Sequence, residues 1–281
     1  MFVDIAGLVK GASKGEGLGN QFLSHIREVD AILHVVRCFD DGNVVHVDGD
    51  IDPLRDIQTI NMELILADLE ILERRKSRVE RQLKGDKKLK PLYDLILRLI
   101  DHLEGERLAK SYPLTKEEEA YYRDIHLLTS KPVIYVANVS PEGDSEAFEK
   151  IKAFAETEQS DALAISVQIE QEIAQLDPEE RVIFLEEMGI KESGLDRLIQ
   201  ASYKLLNLIS FITAGPKEIH AWTIIKGTKA QRAAGKIHSD MERGFIRAET
   251  IAYEDLVKAG NIAKAREQGL LRLEGKEYIV K

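Results

Sequence analysis

Apolar residues along this chain change rhythm three times, and each change predicts a different kind of structure. Residues 1–5 open on Phe2-Val3-Asp4-Ile5, a short apolar run that predicts a buried strand. A glycine-dense stretch follows, with Gly7, Gly11, Gly15, Gly17 and Gly19, and reads as a loop. Residues 21–30 predict a helix, and the apolar, partly β-branched run from Ala31 to Phe39 predicts a second buried strand. Strand, loop, helix and strand in this order is the grammar of a parallel sheet with helices on its faces.

That grammar breaks off between Pro53 and Arg123. Ile57, Ile60, Leu64, Ala67 and Ile71 recur at alternating three- and four-residue spacing, the stripe of a coiled-coil-like seam. Gly85-Asp86 interrupts the stripe, and Leu89, Leu92, Ile96, Leu99 and Leu103 resume it, which predicts two antiparallel helices joined by a tight turn. Sheet grammar returns at residues 132–137, a strand ending at Asn138. A helix over 144–156 capped by Asp144, a strand over 162–166 and helical pieces over 169–207 follow. The hairpin is therefore an insertion in an α/β domain. Beyond Ser210 the texture becomes that of a small α+β module, with a strand over 218–225 and turns at Gly227, Gly235 and Gly244.

Composition narrows the setting. Hydrophobic residues make up 44% of the chain and charged residues 31%, enough for ordinary cores under a polar surface. The single cysteine, Cys38, cannot close an internal disulfide and fits a reducing compartment. No apolar run reaches the roughly 18 residues that a membrane span needs, so a cytoplasmic protein without a membrane partner is expected. A net charge of −10 argues against a surface that coats nucleic acid throughout. Two islands run the other way: residues 71–90 hold nine Lys or Arg against three acids, and residues 217–247 hold seven against three. Both ends read as cuts through folded structure, a strand starting without lead-in at Met1 and another starting at Glu277.

Chemistry concentrates at strand tips. Asp4-Ile5-Ala6-Gly7 puts a carboxylate at the end of the first strand and a glycine three residues on. Many nucleoside triphosphatases use that pair beside the γ-phosphate, the carboxylate holding Mg2+ through water and the glycine N–H reaching phosphate. An Asx-type turn closing a strand would leave the same four residues. Asn138 ends another strand where many nucleotide-binding domains read the base with N-K-x-D, but here the run is Asn138-Val139-Ser140-Pro141-Glu142. No lysine follows the asparagine, and a strand-end cap is the alternative. The Gly11-Ala12-Ser13-Lys14-Gly15 match to G-x-S-x-G lacks the strand and helix of a nucleophile elbow. No G-x-x-x-x-G-K-[ST], H-E-x-x-H or C-x-x-C occurs in the chain.

Taken together, these segments resemble the YchF subfamily of Obg-like GTPases. The run from Phe2 to Phe22 matches that family's switch II region nearly letter for letter, and residues 35–39 and the helical insertion look like the same family. The tail, with Thr213 to Ile224, Ala234 to His238 and Glu242 to Arg247, is similar to its TGS module. The resemblance implies an α/β, parallel-sheet P-loop NTPase G domain, N-terminally truncated, with an inserted helical coiled-coil hairpin and a C-terminal ubiquitin-like β-grasp (TGS) domain. The corresponding segments are 1–50 and 129–208 for the G domain, 51–128 for the hairpin and 209–281 for the TGS domain.

The resemblance also implies hydrolysis of ATP, with GTP as a second substrate, and association with the ribosome or ribosomal RNA. Asp4, Gly7, Asn138, Val139 and Ser166 are the nucleotide-binding residues it carries over, with Asp4 serving Mg2+. The family's base-reading motif is N-x-x-E, whereas here Pro141 holds the acid's place and Glu142 lies one further on, so little guanine selection is expected. Leu8 stands where many GTPases keep a water-orienting glutamine, which implies slow turnover. The family's phosphate loop lies upstream of the residue matching Phe2, so a fragment whose own activity is weak is expected. The alternative is a non-catalytic ribosome-binding module. In either case Arg74, Arg75, Lys87 and Lys88 on the hairpin, and Lys229, Arg232 and Lys236 in the tail, are the expected RNA contacts.

Overall fold

The computed structural model describes residues 1–5, 18–41, 51–143, 145–215 and 218–281, and the chain divides into two compact units, Met1–Ala201 and Ser202–Lys281. Unit one begins with α1 (Leu18–Glu28) and β1 (Ile32–Cys38), followed by the long α2 (Pro53–Leu83), α3 (Lys90–Glu104) and α4 (Glu119–Ile125). It continues through β2 (Val133–Val139), α5 (Ser145–Thr157), β3 (Asp161–Ile165), α6 (Val167–Ile173), α7 (Pro178–Glu187) and α8 (Gly194–Leu205). β1, β2 and β3 form one parallel sheet in that order, with Arg37, Asn138 and Ile165 in register across it. β2 lies in the middle and its residues 133–137 are buried, as the unbroken Val-Ile-Tyr-Val-Ala run requires of a strand covered on both faces.

Residues 1–5 correct the sequence expectation. They form no strand and are mostly exposed, with Phe2 and Val3 at 52% and 56%. An apolar run becomes a strand only where a neighbour's edge takes its N–H and C=O groups, and in the described residues β1 is laddered to β2 alone. Ile5 instead packs on the cluster of Phe22, Leu23 and Ile26 from α1. The expected Asp144 cap lies outside the described residues.

α2 is the spine of unit one. Asp52 starts it, its side chain accepting the Arg55 N–H at 3.1 Å, and Pro53 fits the first turn because no intrahelical donor is needed there. The helix then runs unbroken for 31 residues, about 46 Å at 1.5 Å per residue. A single apolar seam was expected, but the helix presents apolar residues to three clusters. Ile57 joins Val36, Cys38, Tyr135 and Ala137 beside the sheet. Leu64 and Ala67 pack with α1 and Leu128. Ile65, Leu72 and Val79 meet Leu92, Leu95, Ile96, Leu99 and Leu103 of α3. The antiparallel hairpin is thus real, and its base is buried from more sides than a two-helix seam allows.

The hairpin is fixed to the sheet through a buried carboxylate. Asp68 accepts hydrogen bonds from the Leu128 N–H (2.7 Å), the Thr129 N–H (2.8 Å) and the Thr129 hydroxyl (2.7 Å), all just before β2. Burial pushes its pKa up from the ordinary carboxylate range, while these donors and the charge of Arg27 pull it back. Thr129 also accepts the Ala109 N–H at 3.1 Å, and next to it Lys110 reaches Glu158 (3.1 Å), which accepts from the Tyr135 hydroxyl (2.6 Å). One polar chain therefore links α2, the segment after α3, and the sheet.

Unit two contains β4 (Leu208–Ala214), β5 (Ile219–Ile225), α9 (Ala230–Ile237), α10 (Ser239–Arg243), β6 (Arg247–Thr250), α11 (Tyr253–Ala259), α12 (Ile262–Glu267) and β7 (Arg272–Gly275). β4 pairs antiparallel with β5, and β6 with β7. The strand expected from Glu277 onward is a single bridge, Ile279 to Lys229.

Replacing Asp68 by alanine strands two backbone N–H groups and one hydroxyl in the interior, at about 1–3 kcal/mol each. Urea unfolding should show Asp68→Ala losing about 3 kcal/mol or more, and Asp68→Asn less, because an amide oxygen still accepts. A loss below about 1 kcal/mol would mean that Asp68 does not anchor the hairpin.

Candidate functional site

In an open parallel sheet, ligands bind beyond the carboxyl ends of the strands, where loops leave the ladder and free polar groups converge. Those ends here are Arg37–Cys38, Asn138–Val139 and Ile165–Ser166. The Asn138 amide oxygen accepts the Val167 N–H at 3.2 Å, drawing the tip of β2 to the start of α6. That leaves the Asn138 amino group as the side chain's donor to anything beyond the sheet. Ser166 precedes α6 in extended conformation, yet its hydroxyl makes no cap bond to the helix. Its Oγ is buried and has no protein partner among the described residues. A buried hydroxyl without a partner costs about 1–3 kcal/mol, so Ser166 carries an unsatisfied polar atom next in sequence to the residue that Asn138 holds. Val139 is half-buried against the sheet-side cluster, so its side chain chiefly serves the core.

The segment after β2 explains why the acid has shifted. The Gly143 N–H donates to the Ser140 carbonyl at 2.9 Å, closing a tight turn in which Pro141 and Glu142 are exposed. Gly143 has φ of 82°, a left-handed conformation that glycine adopts without penalty. Glu142 thus lies exposed within a turn that follows the end of β2.

Asn138, Val139 and Ser166 are therefore brought together by the sheet. Asp4 is exposed, and among the described residues no hydrogen bond or ion pair joins it to them. Gly7 and Leu8 lie outside the described residues. No cluster of three His, Cys, Asp or Glu side chains able to hold a metal occurs among the described residues. A hard cation such as Mg2+ takes few protein ligands when phosphates and water supply the rest, and the exposed Asp4 carboxylate is open to such an ion's water shell.

Of the basic residues expected to touch RNA, all but Lys87 and Lys88 line two grooves. One, of about 520 Å³, has Arg74, Arg75 and Arg78 of α2 over Ile71, Val79 and Leu92. Arg75 is committed to the fold there: it forms an ion pair with Asp124 and donates to the Asp124 carbonyl at 2.8 Å. The hydrogen bond from Arg75 to the Asp124 carboxylate holds that carboxyl below its ordinary range. Arg74 is exposed and pairs only loosely with Glu70 at 3.6 Å, and Lys87 and Lys88 project from the turn at the hairpin tip. The second groove, of about 540 Å³, brings Lys229, Arg232 and Lys236 together along α9 and β5. Lys229 pairs with Glu277 and Arg232 with Glu242 at 3.5 Å, which leaves Lys236 the least compensated of the three.

The sequence reading missed Glu170. Its two carboxylate oxygens accept the N–H groups of Gly194 (2.6 Å) and Leu195 (3.1 Å) at the start of α8. A glutamate on a short acidic helix carries no local signal for a partner 24 residues away.

Comparison with known proteins adds the following. The family model MMR_HSR1, described as a 50S ribosome-binding GTPase, matches residues 1–68. The model YchF-GTPase_C, described as a protein of unknown function (DUF933), matches residues 208–281. The chain is 54% identical to the Bacillus subtilis protein "Ribosome-binding ATPase YchF" over 99% of its own length and 78% of the relative's. It is 49% identical to the Escherichia coli O157:H7 protein of the same name, covering 100% of the chain and 78% of that relative. Among solved structures, the Schizosaccharomyces pombe YchF GTPase superposes with a TM-score of 0.82 at 34% identity, covering 97% of this chain and 75% of that one.

Because the Ser166 hydroxyl has no protein partner, its removal should leave folding intact. Ser166→Ala should change the urea unfolding free energy by no more than about 0.5 kcal/mol, or raise it. A loss of more than about 1 kcal/mol would reveal a structural bond and show that the hydroxyl is satisfied within the protein.

Proposed function

The chain belongs to the YchF family, and from that premise we propose that it is a ribosome-associated nucleotide-binding protein that hydrolyses ATP, and GTP as a second substrate, as a slow switch. Its larger unit has the parallel-sheet P-loop GTPase fold. The observation that carries the reading is the pairing of Asn138 with Val167, next in sequence to Ser166, whose buried hydroxyl nothing in the described protein satisfies. Relatives at 49–54% identity that are named ribosome-binding ATPases support it.

The residue roles are these. Asn138 donates to the base through its amino group, and the segment at Ser166 packs under the same ring. Asp4 holds Mg2+, which when bound neutralises charge on the phosphates. Gly7 would bring a backbone N–H close to phosphate, and Leu8 beside it cannot orient water, which sets a slow rate. Pro141 offers no side-chain acceptor and Glu142 is exposed one residue out of register, so no acid reads guanine, and ATP is accepted at least as well as GTP. We take segments 1–50 and 129–208 as the nucleotide-binding domain, 51–128 as its helical insertion and 209–281 as the TGS domain. The cytoplasm, where ribosomes work, is the proposed setting.

A second reading keeps the ribosome and drops the chemistry. Among the 281 residues there is no G-x-x-x-x-G-K-[ST], the loop that supplies most phosphate donors in such enzymes. In that case the chain acts as a ribosome-binding module. Both readings place RNA on the two basic grooves, with one change from the sequence expectation: Arg75, held by Asp124, serves the fold.

Ribosome co-sedimentation tests the shared element. Charge reversal of Arg74, Lys87 and Lys88 together, or of Lys229, Arg232 and Lys236 together, should weaken binding, and wild-type binding should fall steeply with salt as counterions are released. Unchanged pelleting in both variants and no salt dependence would show that the basic grooves are only solvated surface. Measured alongside, ATP hydrolysis separates the two readings: turnover above background supports the enzyme, and its absence the module.

A further inference from the structure

Glu170 holds two elements at once. Its backbone N–H donates to the Ser166 carbonyl at 3.0 Å, and its carboxylate takes the first two N–H groups of α8. The end of β3 and the start of α6, on either side of Ser166, are therefore held at three points. Asn138 holds this segment through Val167, Glu170 ties it to α8, and Arg197 of α8 donates to the Ala164 carbonyl at 2.7 Å. The start of α8 is itself rigid. Ser193 is fully buried and donates to Asp196 at 2.7 Å, and Arg181 donates to both Ser193 (3.1 Å) and Asp196 (2.7 Å).

The close approach depends on Gly194. A Cβ at this position would lie 2.8 Å from Ile165 Cγ2 and 3.0 Å from the Glu170 carboxylate, inside contact distance of both. Glycine is thus required for α8 to reach the end of β3 and for its N–H to meet Glu170. An anionic side chain at a helix N-terminus is also favoured by the helix dipole, so this carboxylate binds here more firmly than an exposed one.

We propose that Glu170 is the positioning residue of the base-side segment, fixing through α8 where the backbone at Ser166 and the Asn138 amide meet a purine. This rests on the reading of that strand tip as the nucleobase site. Glu170 touches no ligand in this scheme. It acts by holding Ser166, and displacement of such a group by even about 1 Å is enough to weaken a site substantially.

The probe is adenosine, which carries the base without phosphates and so reports on this corner alone. In amide-resolved NMR of the full chain, added adenosine should shift Asn138, Val139, Ser166 and Val167 saturably. Glu170→Ala should raise the adenosine dissociation constant by about tenfold or more while the rest of the spectrum stays folded. Gly194→Ala, which pushes the same clamp apart from the other side, should do likewise and stands in if Glu170→Ala fails to fold. Glu170→Gln keeps an acceptor oxygen and should recover part of the loss. Glu172→Ala, on the exposed side of the same helix, should bind as wild type does. If wild type responds and both Glu170→Ala and Gly194→Ala bind equally well, the positioning role is overturned and the base site stands. A wild type whose strand-tip amides do not respond overturns the base site and this inference with it.

Discussion

Asp68 sits without solvent contact on α2 and takes three hydrogen bonds from the two residues that lead into the central strand. A buried carboxylate without donors would be strongly unfavourable, and here each donor is also a group that would otherwise be stranded. The bonds therefore satisfy both sides, and they fix the axial position of a 31-residue helix against β2. The apolar contacts of α2 agree with that position: Ile57 falls at the sheet, Leu64 and Ala67 at α1, and Leu72 and Val79 at α3. Hydrophobic burial supplies most of the stability, but it is non-directional. The polar chain through Asp68, Thr129, Lys110, Glu158 and Tyr135 selects one arrangement among those that bury similar area.

The same constraint shapes the candidate site. β2 enters beside Asp68 and leaves at Asn138, so the strand that is clamped at its start delivers the asparagine at its end. The candidate site is then placed on the tip of the most buried strand, where neighbours in register on both sides hold it. The residues after β3 lack such a ladder and are held by side chains instead, Asn138 at Val167 and Glu170 through α8. Long-range polar contacts thus do for these residues what backbone pairing does for the strand.

Much of this was legible in the sequence because it is written in local periodicity. The strands of the parallel sheet stood out as continuous apolar runs, and the hairpin as two stripes broken at Gly85-Asp86. What escaped detection depends on partners distant in the chain. Residues 1–5 look like a strand by composition but have no ladder. β4 was hidden because Leu208 to Ala214 follows a helix directly and shows its character only beside β5. Asp68 reads as one more polar position in an amphipathic helix until Leu128 and Thr129 meet it. Arg75 belonged to a basic island by count, and only Asp124 shows that it serves the fold. At the site, Asn138 was readable as a strand end, and Ser166 through family likeness, whereas Glu170 and Gly194 have no local signature at all.

The central claim is that the tips of β2 and β3 receive the base of a nucleotide. Photo-crosslinking with 8-azido-ATP, followed by mass-spectrometric mapping, addresses it without depending on turnover. The account expects the label on peptides containing Asn138–Val139 or Ser166–Val167, and expects unlabelled ATP to compete it away. A label confined to the α2–α3 hairpin or to residues 202–281, and equally suppressed by ATP, would contradict it.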